Sequence, residues 1–298
     1  MPFAAACPET DRPDLPDRPP QPAARRGLAA AAEKARCFGA LAAAGYRRYA
    51  TYRQAAVAGL FTNIVFGAML CAIMLAAAHG GNTPGGYTAA QLVAFVWIGQ
   101  GLLNVVHMWG WREFSDRITS GDVTSDLLRP VDPIAAYAAA DLGRAAQAML
   151  WRWLPPVVFG LLVYDMYIPH RVATYPLFAA SVILAVVVSF GGRYLVNLTA
   201  FWLLDVRGPL MVWGIASAVL SGNYFPLRFL PEWTLWLAWV ATPFPSLFQA
   251  PLDVAVERTS VAAASATVLV QALWAVVLYV LCVRVQRRGV VRLVVQGG

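Results

Sequence analysis

Three polar side chains, Gln100, Asn104 and His107, recur at helical spacing inside an otherwise apolar run, so they share one helix face. Amides and an imidazole in such a setting can line a path for a polar solute, meet a partner chain, or simply hydrogen-bond between helices. The ionisable candidates are Arg152, Arg193 and Asp165. Each falls toward a predicted helix end, where a long side chain can reach the headgroups, so ion coupling within this chain is not expected. The sequence holds no GxxxxGK[ST], HExxH, GxSxG or carboxylate cluster. No catalytic residue is therefore assigned, and the chain alone is not expected to hydrolyse ATP. Cys7, Cys37, Cys71 and Cys282 are scattered without a CxxC pair, which predicts neither a metal site nor a disulfide framework.

The elements that carry these residues follow from hydropathy. Of 298 residues, 59% are hydrophobic and 13% charged, about half the charge of an average soluble domain. The net charge of +7 sits between apolar runs, which fits membrane orientation and argues against a nucleic-acid partner. The fold class expected is an all-α membrane protein with six transmembrane helices: Ala55–Ala78, Tyr87–Trp109, Met149–Tyr167, Tyr175–Leu203, Leu210–Tyr224 and Val261–Val283. Residues 1–27, rich in proline and without a signal-peptide pattern, read as a disordered cytoplasmic tail. Residues 28–54 read as an amphipathic interfacial helix with Phe38, Leu41, Gly45, Tyr49 and Tyr52 on one stripe, an ordinary packed helix being the alternative. Residues 55–284 are expected to form the six-helix transmembrane domain, with 112–144 its cytoplasmic segment and 225–254 its outer hairpin, and 285–298 a cytoplasmic C-terminal tail.

Loop charges set the orientation. Seven Lys and Arg residues from Arg25 to Arg53 precede the first span, and His79–Gly86 after it has none, so the N-terminus is expected in the cytoplasm. Arg112, Arg117, Arg129, Arg144, Arg193, Arg207, Arg284, Arg287, Arg288 and Arg292 then fall inside, against Arg171, Arg228 and Arg258 outside. Both termini are expected in the cytoplasm.

Residues 225–254 are apolar but cut by Pro226, Pro231, Pro243, Pro245 and Pro251. A helix between Pro231 and Pro243 would rise only about 16 Å, roughly half the bilayer core. An outer re-entrant or interfacial hairpin is expected, involving Tyr224, Phe225, Pro226, Leu227, Pro231, Trp233, Pro243 and Pro245, with Trp233, Trp236 and Trp239 near headgroup level. On the fifth span Gly214, Ala218 and Gly222 make a small-residue ridge flanked by Ser217 and Ser221, suited to close helix contact within the chain or across a dimer.

The segment 112–144 is cytoplasmic in this scheme and carries its own start and stop signals. Gly121 breaks the chain, Asp122 or Ser120 can cap a short helix through Leu128, Pro130 ends it, and Asp132 and Pro133 suit the N-cap and first turn of another helix. Val123 and Leu127, at i and i+4, offer an apolar face on a helix with no span to pack against. A docking partner is expected there.

The segments ITSGDVTSDLLRP (118–130) and SGNYFPLRFLPEW (221–233), with the proline-broken hairpin, resemble the permease subunits of ABC-2-type transporters. By order of elements the resemblance covers nearly the whole chain after residue 46. It implies that Gly121, Asp122, Val123, Asp126, Leu127, Leu128, Arg129 and Pro130 form a coupling helix seated in an ATPase. Two permease chains, identical or different, would join two ATPase chains that bind ATP and Mg, and export would run across the plasma or inner membrane of a prokaryote. The alternative is an ATP-independent channel or membrane-embedded assembly factor that uses Gln100, Asn104 and His107 as its working face.

Overall fold

The computed structural model describes residues 23–50, 53–79, 84–108, 110–203 and 205–293, and every regular element among them is helical. Tyr52, Trp109, Leu204 and residues 1–22, on which parts of the sequence reading fall, lie outside the described residues. In chain order the helices are α1 (Ala23–Ala50), α2 (Arg53–Ala77), α3 (Ala89–Val106), α4 (Glu113–Ser120), α5 (Val123–Leu127), α6 (Pro133–Ala148), α7 (Leu154–Val163), α8 (Thr174–Leu198), α9 (Arg207–Leu220), α10 (Glu232–Ala241), α11 (Gln249–Ala255) and α12 (Val261–Val290).

Five helical stretches are long and apolar enough to cross a membrane: Gly59–Ala77, Ala89–Val106, Pro133–Val163, Thr174–Phe201 and Val261–Val290. The chain is a multi-pass, all-α membrane protein. Its outward surface is apolar, with Phe61, Met69 and Ile73 on α2, Leu162 on α7, Met211 and Val212 on α9, and Leu269 and Leu273 on α12 all exposed. Water would not tolerate that continuous apolar surface; lipid requires it.

The third crossing differs from its expected form. A helix begins at Pro133, with Asp132 as N-cap accepting from the Ile134 amide at 3.2 Å, and runs to Val163 with one π-helical turn at Met149–Trp153. Residues 133–144, expected in the cytoplasmic segment, are thus the first part of the spanning helix. The π turn has a local cause: Pro155 and Pro156 follow it, lack amide hydrogens, and cannot close the preceding turn in regular α geometry.

Helix α1 packs chiefly on α6. Leu41 and Gly45 are buried there, while Phe38 and Tyr49, placed on the same stripe by the sequence, remain more than a third exposed. The alternative of an ordinary helix packed on protein thus describes its second half. The helix also begins at Ala23, inside the stretch expected as a tail. At the other terminus α12 continues to Val290, carrying Arg287 and Arg288 in its last turn, where cations complement the helix dipole; the C-terminal tail starts later than expected.

Helix α9, the expected fifth crossing, has 14 residues and by itself rises only about 21 Å. After Leu220 no α-helix forms until Glu232. The Leu227 amide donates to Gln249 Oε1 at 2.7 Å, and the turn at Leu227–Phe229 reaches the loop at Pro84–Gly86. Protein groups thus satisfy part of this irregular backbone. The proline-broken hairpin then dips into the bundle. Ser246, at its turn, is wholly buried and its carbonyl accepts from Gln271 at 2.8 Å; Gln271 stands about 15 Å into α12. Helix α11 returns with all seven residues buried, whereas α10 has none buried and leaves Trp233 and Trp236 68% exposed.

Candidate functional site

The segment α4–α5 is anchored more firmly than its sequence indicates. Gly121 closes α4 with φ +83°, a left-handed value that other residues resist. Neither Ser120 nor Asp122 caps α5; their side chains bond each other at 3.0 Å. Phe114, Ile118 and Val123 are buried with Ile134, Tyr137, Phe190, Tyr194 and Leu198 in a core at the ends of α6 and α8, and Leu127 packs on its edge. The Phe114 and Tyr194 rings stack at 4.7 Å. Asn197 on α8 accepts from the Ser115 amide at 3.0 Å and donates to the Trp111 carbonyl at 3.0 Å. Val123 and Leu127 therefore face inward, and the expected apolar docking face made of those two is corrected: the helix had a core to pack against after all.

Asp126 is also turned inward. Its carboxylate, 7% exposed, bonds Arg117, accepts from the Tyr137 hydroxyl at 3.3 Å, and lies 3.6 Å from Arg129. Burial alone would lower the Arg117 guanidinium; the Asp126 carboxylate more than offsets it and pushes Arg117 above its ordinary value. Leu128 remains, 87% exposed beside exposed Arg129 and Pro130. A large aliphatic side chain is thus held in the open on a turn whose other face is packed.

The polar stripe on α3 leads to a buried charge network. Gln100 is buried with its Oε1 unpartnered. Asn104 Oδ1 accepts from Arg152 at 3.3 Å. His107, at the end of α3, accepts through its carbonyl from Ser189 at 2.7 Å, and its Nδ1 lies 3.5 Å from Arg193. Arg193 is fully buried and pairs with Asp141 at 2.8 Å. Asp141 pairs in turn with Arg144 at 2.7 Å, and Arg144 caps the last carbonyls of α3, those of Asn104 and Val105, at 2.6 and 2.9 Å. Arg193 does not reach for headgroups as expected, and Arg144 is a bundle residue instead of a loop charge. The spacing of Asp141 and Arg144, three apart on one helix, was the available signal. Two cavities flank this network, of about 250 Å³ and about 130 Å³, both bordered by Tyr49 and Arg144.

On α9 the ridge Gly214, Ser217 and Ala218, with Ser221 and Gly222 beyond it, is buried within the chain. Ser217 donates to the Trp213 carbonyl at 2.6 Å and Ser221 accepts from the Gln249 amide through its carbonyl at 2.8 Å. Of the two uses expected for the ridge, the structure displays the intrachain one.

The opposite end of the bundle from α4–α5 is fastened by two carboxylates that the sequence reading passed over. Asp253 bonds the Tyr87 hydroxyl, Gln249 at 2.9 Å and Arg228 at 3.1 Å. Glu257 accepts from the Tyr167 hydroxyl at 2.8 Å, the Arg171 amide at 2.7 Å and the Thr174 hydroxyl at 2.6 Å, while its own backbone is held at φ +51°. Arg258 donates to the Gly85 carbonyl at 2.8 Å. All three arginines that depart from the loop-charge bias are thus engaged at this end, Arg171 through its amide and its guanidinium. Burial would raise Glu257, but the bonds from Thr174, Arg171 and Tyr167 outweigh it and hold the carboxyl down to about 2. Because the folded-state value is the lower one, its stabilisation is complete above about pH 4.5 and fades as pH falls toward about 2. In detergent, the gap in unfolding midpoint between the wild type and Glu257→Gln is expected to narrow from about pH 6 to about pH 3. A constant gap would remove Glu257 from the acid response.

Among the described residues there is no group of His, Cys, Asp and Glu that could hold a metal ion. No curated protein and no solved structure matches the chain. A family model described as ABC-2 family transporter protein matches residues 63–297, most of the sequence, and the chain belongs to that family.

Proposed function

We propose that this ABC-2 family chain is the membrane subunit of an exporter driven by ATP hydrolysis on a separate polypeptide. In this reading α9 and the irregular stretch after it complete a sixth crossing, both termini face the cytoplasm, and the membrane is the plasma or inner membrane of a prokaryote. Two ATPase chains, which bind ATP and Mg, dock on two permease chains, identical or different, at the α4–α5 ends. The observation that carries the proposal is the position of Leu128: 87% exposed, on a turn whose other face is locked into the ends of α6 and α8. Movement imposed there passes to the spans through packed rings and the Asn197 bonds, because close-packed interiors transmit displacement instead of absorbing it.

The test separates docking from folding. Leu128→Asp touches an exposed position and should leave the purified chain's thermal stability within about 0.5 kcal/mol of wild type. It should weaken binding of the proposed ATPase partner, a soluble Walker A protein, by about tenfold or more, since lost interface anchors commonly cost ~2 kcal/mol. ATP turnover of the lipid-reconstituted pair would fall with it. Undiminished complex formation and turnover in that variant would overturn the docking role. Asp126, by contrast, belongs to the internal structure of the segment, and its replacement reports on folding.

A further inference from the structure

We infer that the smaller cavity, bordered by α1, α3, α6 and the π turn, is a binding site for an anionic oxygen-rich group of phosphate type. It is lined by Tyr49, Asn104, His107, Arg144, Gln147 and Arg152, together with Ala148, and has a volume of about 130 Å³. No carboxylate lines it among the described residues. That volume takes several waters or one tetrahedral oxyanion with its first substituent.

Two independent observations point to a ligand. The first is the lining: Arg144, Arg152 and Gln147 border the cavity, and among the described residues no Asp or Glu stands with them. The second is charge. Beside the cavity one carboxylate, Asp141, is shared by two buried guanidiniums, Arg144 and Arg193. Arg144 uses Nε on Asp141 and one N–H of each terminal nitrogen on the α3 carbonyls, which leaves two of its five N–H donors. Net positive charge in a low-dielectric interior is costly, and an anion bound within reach offsets it. The π turn places Arg152 on the same cavity, in keeping with the use of such turns at functional sites.

The group is either a lipid headgroup or free phosphate. The chemistry is shared, and the experiment distinguishes the sources. The full chain in neutral detergent is titrated with inorganic phosphate, with short-chain phosphatidylglycerol and with short-chain phosphatidylcholine, against chloride at matched ionic strength, and the unfolding midpoint is followed. A saturable rise with phosphate, with phosphatidylglycerol or with both, and none with phosphatidylcholine, is expected. Gln147→Leu and Ala148→Leu, which occupy the space and keep every arginine, should each weaken the apparent affinity by about tenfold or more. If phosphate alone acts the ligand is the free ion; if phosphatidylglycerol alone acts it is the lipid headgroup. No rise with either anion, an equal rise with phosphatidylcholine, or undiminished response in both variants would overturn the site. The readout needs no ATPase, so it stands or falls apart from the transport proposal.

Discussion

Replacing Asp141 by Leu is expected to destabilise the chain by ~3–5 kcal/mol, because it strips the carboxylate from Arg193 and Arg144 while both remain buried. Arg193 has no exposed surface at all and, among the described residues, keeps Ser189 at 3.4 Å and His107 at 3.5 Å as side-chain hydrogen-bonding neighbours, with the Trp111 ring centroid 5.8 Å away. Arg144 suffers less, since the Asn104 and Val105 carbonyls stay in place. The asymmetry yields a sharper test than the single variant. In the double variant Asp141→Leu with Arg193→Met, the orphaned charge is gone, and replacement of a buried pair by packed apolar groups is often neutral. Most of the lost stability should return. Denaturant unfolding of the detergent-purified chain measures both, and if the single variant fails to accumulate, recovery of folded protein by the double variant is the readout. Equal damage from the two would show that the Arg193 charge is not what makes the loss of Asp141 costly.

Gly143→Val should detach α1 from the bundle. A Cβ at Gly143 would collide with the Ala42 carbonyl oxygen and lie 2.9 Å from the Tyr46 amide nitrogen, and Gly45 meets the Ala140 carbonyl in the reciprocal way. Two helices whose backbones touch cannot accept a side chain between them without separating. Overpacking of this kind costs ~1–3 kcal/mol, here concentrated on one helix. Lys34, Arg36, Arg47 and Arg48 are already exposed, so detachment and fraying of the α1 backbone should speed tryptic cleavage after them about tenfold or more, since 1.4 kcal/mol is a factor of ten in an opening equilibrium. Gly39→Ala is the matched control on the same helix: nothing lies within 4 Å of a Cβ there, and cleavage should stay at the wild-type rate. Unchanged cleavage in Gly143→Val would mean that α1 is held by other contacts.

These two sites mark where sequence reasoning stopped. The composition and the apolar runs required a helical membrane protein, because only a closed hydrogen-bonded backbone survives in lipid. Proline spacing was enough to rule out a straight crossing between Pro231 and Pro243, since helix rise per residue is fixed. Asp132 and Pro133 marked a helix start that the structure contains, because capping is local chemistry. Hydropathy failed at residues 133–144 for a specific reason. Asp141 and Arg144 each count as polar, yet together they neutralise one another three residues apart on a helix, so a window average mistook an internal ion pair for a cytoplasmic loop.

The segment α4–α5 shows the reverse case. Its existence and its limits at Gly121 and Pro130 were legible, since a left-handed glycine and a proline punctuate any chain. Which side of α5 faces out was not. Periodicity says that Val123 and Leu127 share a face; only the placement of Phe114, Tyr137 and Tyr194 shows that this face is covered and that Leu128 is left in the open. Asp253 and Glu257 escaped notice because their partners lie up to 166 residues away in sequence, and no local pattern announces such a bond.

The sequence by itself determined that this chain lives in a membrane, that it crosses as helices, and that one of them starts at Asp132 and Pro133, because hydropathy, capping and proline geometry act over a few residues. Tertiary structure alone decided that Arg193 is a buried partner of Asp141, that α1 is clasped to α6 through Gly45 and Gly143, and that Leu128 stays exposed while Val123 is covered. Burial and pairing are properties of the packed whole. They depend on which distant side chains arrive at the same place, and that is settled by how the helices pack.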